Sequence, residues 1–120
     1  MQTPLQVTFR GIAHSDTLVS HLQQRVDRLE RIFDRIVSCH VVVELEGHQH
    51  HHGDRCRFTV HVGLPEHELM VNDAPRGEHS FEDATATAKA DRAFDDAESQ
   101  LEQWVGRMRD RRHEHMRTST

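Results

Sequence analysis

The 120-residue chain contains no tyrosine, one tryptophan and two cysteines, and its 15 basic residues include a single lysine. Cys39 and Cys56 are too few for a disulfide framework or a four-thiolate zinc site. No apolar run approaches the roughly 20 residues of a membrane-spanning helix, and the N-terminus lacks the features of a signal peptide. Glycine loops for phosphate, dinucleotide fingerprints and G-x-S-x-G nucleophile motifs are missing. We therefore expect a cytoplasmic protein without enzymatic activity, cofactor, membrane partner or small-molecule substrate.

The charged residues are distributed unevenly. The formal net charge is −5, from 15 basic and 20 acidic residues. Residues 1–60 are neutral overall, residues 61–105 carry −8 from eleven acids and three bases, and residues 106–120 carry +3 from five bases and two acids. Because RNA phosphates repel an acidic surface, a nucleic acid is expected to meet the first or the last of these segments.

The apolar periodicity predicts the element order β-α-β-β-β-α. Alternating residues indicate strands over about 5–12, 37–46, 55–64 and 67–72. Apolar spacings of three and four indicate a helix from Ser15 or Asp16 to about Arg35, and a second helix from Ser80 to near Arg112. Since a β-α-β crossover pairs its strands in parallel and hairpins add the others, we predict an α+β fold with a four-stranded mixed sheet and two helices packed on one face. The domain is expected to span residues 1–112, with a flexible tail over 113–120.

One face of the predicted sheet stays open to solvent. Its residues are Gln6, Thr8, Arg10, His40, Val42, Glu44, Arg55, Arg57, Thr59 and His61. On the opposite, helix-covered face, Cys39 and Cys56 are interpreted as packed thiols rather than a redox pair. Trp104 lies at helical spacing from Leu101, Val105 and Met108, so we assign it to the core.

Arginines form a ridge on the first predicted helix. At 100° per residue, Arg28, Arg31 and Arg35 lie within about 60° of one another. Guanidinium groups bind phosphate and stack on bases, so such a ridge suits an RNA backbone. The alternative is a solvated face on which Arg31 and Arg35 pair with Asp27 and Glu30.

Acidic residues form a matching row on the second predicted helix. Its members are Asp91, Asp95, Glu98 and Glu102. If the arginine ridge binds RNA, this row is expected to point away from it, because placing like charges together is unfavourable.

Three segments follow the pattern of a known family: the run 28–36, RLERIFDRI, the strand 41–46, VVVELE, and Asp95 with Gln100-Leu101. They resemble the hibernation-promoting factor family, whose members are also called ribosome-associated inhibitor A or sigma-54 modulation proteins. The run 28–36, RLERIFDRI, is similar to the family's signature of basic residue, Leu, any residue, basic residue, aromatic pair, any residue, basic residue and Ile, with Ile32 in place of the first aromatic. The strand 41–46, VVVELE, and the spacing of Asp95 to Gln100-Leu101, close to D-x-x-x-x-Q-L, also match. The resemblance covers about residues 3–110.

The resemblance implies a βαβββα fold and binding to rRNA in the decoding channel of the small ribosomal subunit. Members of the family block mRNA and tRNA there and inhibit translation in stress or stationary phase. Carried over to this chain, the rRNA-binding candidates are Arg28, Arg31, Arg35, Arg107, Arg109, Arg111 and Arg112, and Arg10 on the open sheet face extends the set. This sequence departs from the family in its acidic second helix and its lack of tyrosine, and its length implies a short form without the ribosome-dimerisation domain.

Two other functions remain open from the sequence. A diverged regulatory domain would bind a protein partner through its open sheet face or basic tail. A metal-binding protein would use the histidine-rich loop, in which His48, His50, His51 and His52 are imidazole ligands suited to zinc, nickel or copper. A loop is a poor preorganised cage, however, so a solvated loop is the competing interpretation.

Overall fold

The computed structural model describes residues 1–45, 56–73 and 86–118. The elements are β1 (Gln6–Arg10), α1 (Asp16–Ile32), β2 (Ser38–Leu45), β3 (Cys56–Leu64), β4 (His67–Asp73) and α2 (Ala86–Thr118). The sheet order is β1-β2-β3-β4, with β1 parallel to β2 and the other pairs antiparallel. The α+β fold and the βαβββα order predicted from the sequence are confirmed. The histidine-rich loop, Arg55 and the predicted helix start at Ser80 lie outside the described residues.

The core lies between the sheet and the two helices. Leu22, Val26 and Leu29 of α1 are fully buried, as are Phe94 and Leu101 of α2. The strands contribute their inward-facing residues: Cys39, Val41, Val43, Phe58, Val60, Val62, Leu69 and Val71. Each large apolar side chain removed from water contributes roughly 1.5–3 kcal/mol, so this layer is the main source of stability.

Both ends of the first helix have a local structural cause. Ser15 is the N-cap, and its hydroxyl accepts a hydrogen bond from the Leu18 amide at 3.2 Å. The helix ends at Ile32 because Phe33 is extended, with φ −149°, although its amide still donates to the Leu29 carbonyl. The predicted end near Arg35 is therefore wrong. Extended Phe33 buries its ring, and Arg35 lies in the turn that follows rather than on a helical ridge.

The open sheet face agrees with the sequence prediction where it is described. One row across the four strands contains Gln6, His40, His61 and Met70, and the next contains Thr8, Val42, Thr59 and Asn72. The Thr8 hydroxyl hydrogen-bonds the His40 ring at 2.8 Å, and 55% of Met70 is exposed. This face is therefore polar, with one large apolar side chain open to water.

The two cysteines lie far apart along the sheet. Cys39 pairs in register with Val62, and Cys56 pairs with Leu45. Since Cys56 and Val62 are six residues apart on β3, the cysteines are separated by roughly 20 Å, which excludes a redox pair. Burial raises the pKa of the Cys39 thiol to about 12, and the nearby Glu30 carboxylate adds to the effect. Cys39 is thus a packed, neutral thiol.

The second helix has 33 residues and is about 50 Å long. Its apolar face is buried through Val105, whereas Trp104 and Met108 are only partly buried at the edge of the core. The prediction that Trp104 belongs to the core is therefore corrected: Trp104 lies at the rim of the core. The helix continues to Thr118, six residues past the predicted end at Arg112, and the domain boundary at Arg112 stays a prediction. Within the described ranges, no helix is long and apolar enough to cross a membrane.

Candidate nucleic-acid interface

Three of the four carboxylates in the acidic row of α2, those of Asp91, Asp95 and Glu98, are paired with side chains of α1. Buried Arg25 donates from Nη1 to Asp91 Oδ1 at 2.7 Å, and from Nη2 to Asp95 Oδ1 at 2.7 Å and Glu98 Oε2 at 3.0 Å. Arg28 donates to the other Glu98 oxygen at 3.2 Å, and the His21 ring lies 2.7 Å from Asp91. Three carboxylates of the row therefore neutralise α1 side chains at the helix–helix interface.

The pKa directions in this cluster follow from its geometry. Burial alone lowers the pKa of Arg25, but hydrogen bonds with the three carboxylates outweigh it, so the pKa rises and the guanidinium stays charged. Burial acts to raise the pKa of Asp91, but hydrogen bonds with His21 and Arg25 outweigh that effect and lower it. Arg25 and Asp91 thus each stabilise the charged form of the other.

Arg31 and Arg35 have no such partners among the residues that the structure describes. The acids predicted as alternatives are engaged elsewhere: Asp27 accepts from the Gln23 amide at 3.0 Å, and Glu30 accepts from the N-terminal ammonium at 2.6 Å. Arg35 instead places its guanidinium 5.8 Å from the centre of the Phe33 ring. Neither Arg31 nor Arg35 forms an ion pair with any residue that the structure describes.

The end of α1 and the second half of α2 enclose two adjoining surface cavities. The first, about 430 Å³, includes Arg35, Arg107 and Arg111 in its lining, and the second, about 360 Å³, includes Arg31, Arg35 and Arg109. Phe33 and Met108 line both. We call this combined surface the arginine groove.

The charge of the arginine groove is strongly positive. Five arginines line it, against the two carboxylates Asp34 and Glu66. Within the described ranges, Arg107, Arg109 and Arg111 form no ion pair, and all three are exposed. Guanidinium groups that are exposed and unpaired are available to phosphate oxygens.

The wall of the first cavity is aromatic. The His67 and Trp104 rings are parallel, with an interplanar angle of 3° and centroids 5.8 Å apart. Phe33 meets Trp104 edge to face, with centroids 5.2 Å apart. The sequence prediction did not include His67 or the position of Trp104 in the wall of this cavity. The available signal was that Trp104, Arg107, Met108 and Arg111 recur at spacings of three and four, which places them on one helix face.

The other predicted residues lie apart from the arginine groove. Arg10 ends β1 opposite Glu44, about 20 Å along β2 from Ser38, the strand end nearest the arginine groove. Arg28 is paired with Glu98. The Arg112 side chain and the histidine-rich loop lie outside the described part of the chain. Among the described residues, no group of three or more metal-binding side chains occurs.

The family model described as sigma 54 modulation protein / S30EA ribosomal protein matches residues 5–109. The fold is similar to the N-terminal domain of Protein Y from Thermus thermophilus, with 24% identity, a TM-score of 0.64, and coverage of 87% of this chain and 99% of that one. It is also similar to a ribosomal subunit interface protein from Coxiella burnetii, with 16% identity, a TM-score of 0.67, and coverage of 85% and 97%.

A comparison with curated proteins gave no match. The family model, however, covers most of the chain, including all of α1 and residues 86–109 of α2. The chain therefore belongs to the sigma 54 modulation protein / S30EA ribosomal protein family.

Proposed function

We propose that this protein associates with the small ribosomal subunit and inhibits translation by occupying the decoding channel in place of mRNA and tRNA. Family membership supports an association with ribosomes, and one structural relative is named as a ribosomal subunit interface protein. The observation that carries the proposal is the arginine groove, in which five arginines converge from two elements and the turn between α1 and β2.

Charge geometry reconciles this proposal with a net charge of −5. Three carboxylates of the acidic row on α2 bind Arg25 and Arg28, whereas Arg31, Arg35 and Arg109 are exposed around the end of α1. An rRNA backbone approaching the arginine groove thus meets guanidinium groups, and the paired carboxylates repel it less than free ones would.

Inhibition would be steric in this account. The fold is a packed layer of sheet and helices, and the arginine groove would hold it against rRNA through contacts with phosphates. Since mRNA and tRNA need the same space, bound protein would exclude them without chemistry. We also propose that this inhibition of translation takes place in stress or stationary phase.

The experiment is sedimentation of the tagged protein in a stationary-phase lysate through sucrose gradients at two salt concentrations. Protein in the small-subunit fractions at low salt, released at high salt, supports the proposal. If five phosphate contacts form, the logarithm of the binding constant should fall with a slope of about −3.5 to −4.5 against the logarithm of salt concentration. Protein that stays at the top of both gradients would contradict it.

A protein partner is the second candidate, and the observation in its favour is Met70, which is 55% exposed on the open sheet face. Binding there would be insensitive to charge reversal in the arginine groove. The gradients distinguish the two, because a protein partner other than the ribosome would leave the small-subunit fractions empty.

A further inference from the structure

The first cavity of the arginine groove combines two features that recognise different parts of a nucleotide. Trp104, His67 and Phe33 form an aromatic wall, whereas Arg35, Arg107 and Arg111 supply positive charge around it. Its volume of about 430 Å³ lies within the range of pockets that hold small organic groups. Flat heterocycles stack on aromatic side chains regardless of their sequence, because every base has a π face.

We propose that this cavity captures one unpaired RNA base, which stacks on Trp104 while the neighbouring phosphates bind Arg35, Arg107 and Arg111. The inference rests on the proposed function in taking RNA as the ligand, and it adds a site for a base to the binding of the backbone.

His67 marks the position that the base would take. Its imidazole, itself a flat nitrogen heterocycle, is stacked parallel to Trp104. His67 is exposed at the start of β4, and its imidazole forms no hydrogen bond with the residues that the structure describes, so the ring contact with Trp104 is its one interaction there. A base, with its larger π surface, displaces His67 from Trp104.

The second cavity favours an RNA strand over a free nucleotide as the ligand. It adjoins the first through Phe33, Arg35 and Met108, and it adds Arg31 and Arg109. A free nucleotide fills only the first cavity. A strand places one base there and continues its phosphates past the other two arginines.

The test uses Trp104, the single tryptophan of the chain, as its own reporter. The full-length protein is titrated at low salt with an oligouridylate of about eight nucleotides, with an RNA duplex of equal length and with uridine monophosphate. We expect the single strand to quench Trp104 emission. The duplex should leave emission unchanged because its bases are stacked internally, and the monophosphate should bind at least about tenfold more weakly.

Two variants give a second measurement, by anisotropy of a labelled oligonucleotide. Trp104→Leu keeps an apolar side chain and should weaken single-strand binding about tenfold. His67→Ala removes the competing ring and should strengthen it by roughly two- to tenfold. His67→Ala also keeps the proposal testable if Trp104→Leu fails to fold.

The outcomes separate this inference from the proposed function. Small-subunit binding without quenching of Trp104 by any single strand overturns the base site and leaves the proposed function standing. Equal affinity for uridine monophosphate and oligouridylate, or unchanged affinity in His67→Ala, also overturns it. If small subunits fail to bind as well, both proposals fail.

Discussion

Arg25 on α1 and Asp91 on α2, 66 positions apart in sequence, are joined by a hydrogen bond of 2.7 Å. The same guanidinium bridges Asp95 and Glu98, so a single buried cation holds three carboxylates of the acidic row. The row is thereby a structural element of the helix pair, and it is compatible with a polyanion-binding surface nearby.

Replacing Arg25 should destabilise the fold. Arg25→Met leaves three carboxylates facing one another, and we predict a loss of about 2 kcal/mol in the free energy of unfolding measured with urea. This is less than the roughly 3–5 kcal/mol of a fully buried pair, because water still reaches Asp91 and Asp95. The control Arg28→Met removes a largely exposed pair and should cost at most about 0.5 kcal/mol. Equal stability of Arg25→Met and wild type would refute the structural role.

Asp91 should make stability depend on acid pH. Its pKa in the folded protein is lowered from the ordinary value of 3.8, so it stabilises the folded state above that pH. The stabilisation is lost as pH falls below about 4 and through the lowered value. We therefore predict that the gap in unfolding free energy between wild type and Asp91→Asn narrows from pH 6 to pH 2. Asp96→Asn, exposed on the same helix, is the control, and a gap that is constant across this range would contradict the prediction.

Glu66 combines a strained backbone conformation with a negative charge that opposes RNA binding in the arginine groove. It has φ 61° in the turn between β3 and β4, and its side chain lines the arginine groove. Glu66→Gly should raise the unfolding free energy by up to about 1 kcal/mol, because glycine adopts this φ without steric cost but loses more entropy. It should also strengthen RNA binding. Glu66→Gln separates the effects, since it should strengthen binding without added stability. Weaker RNA binding by both variants would show that the carboxylate does not oppose the ligand.

Cys39 should be unreactive in the folded protein. It is 1% exposed, and burial raises its pKa to about 12, so little thiolate exists at pH 8. In a Cys56→Ser variant, a thiol reagent should label nothing under native conditions and one thiol in urea. Rapid native labelling would contradict the packing of this strand.

Periodicity in the sequence was sufficient for the fold and for most of the core. Alternation along β2 and β3 gives the correct inward face, and the cap at Ser15 is readable from residue type. The end of α1 could not be predicted from the sequence, because Phe33 fits the apolar stripe of the helix whether its backbone is helical or extended.

The candidate site was only partly predictable. The sequence identified Arg31 and Arg35 and the arginines of α2, but their meeting depends on how α1 and α2 pack. Arg25 was overlooked because its partners lie 66 to 73 positions away, beyond the reach of any local pattern. The helical spacing of Trp104 fits a buried position and a position at the rim of the core equally well, so it could not tell the two apart.

The most direct test of the account is the affinity of purified small ribosomal subunits for a variant with Arg31, Arg35 and Arg109 all changed to Glu. These side chains are exposed and unpaired within the described ranges, so the variant should fold normally, as circular dichroism can verify. The matched control is Arg10→Glu, at the far end of the sheet. We predict a loss of at least about 100-fold for the triple variant at physiological salt and a small change for the control. Wild-type affinity in the triple variant would contradict the claim that the arginine groove binds the ribosome.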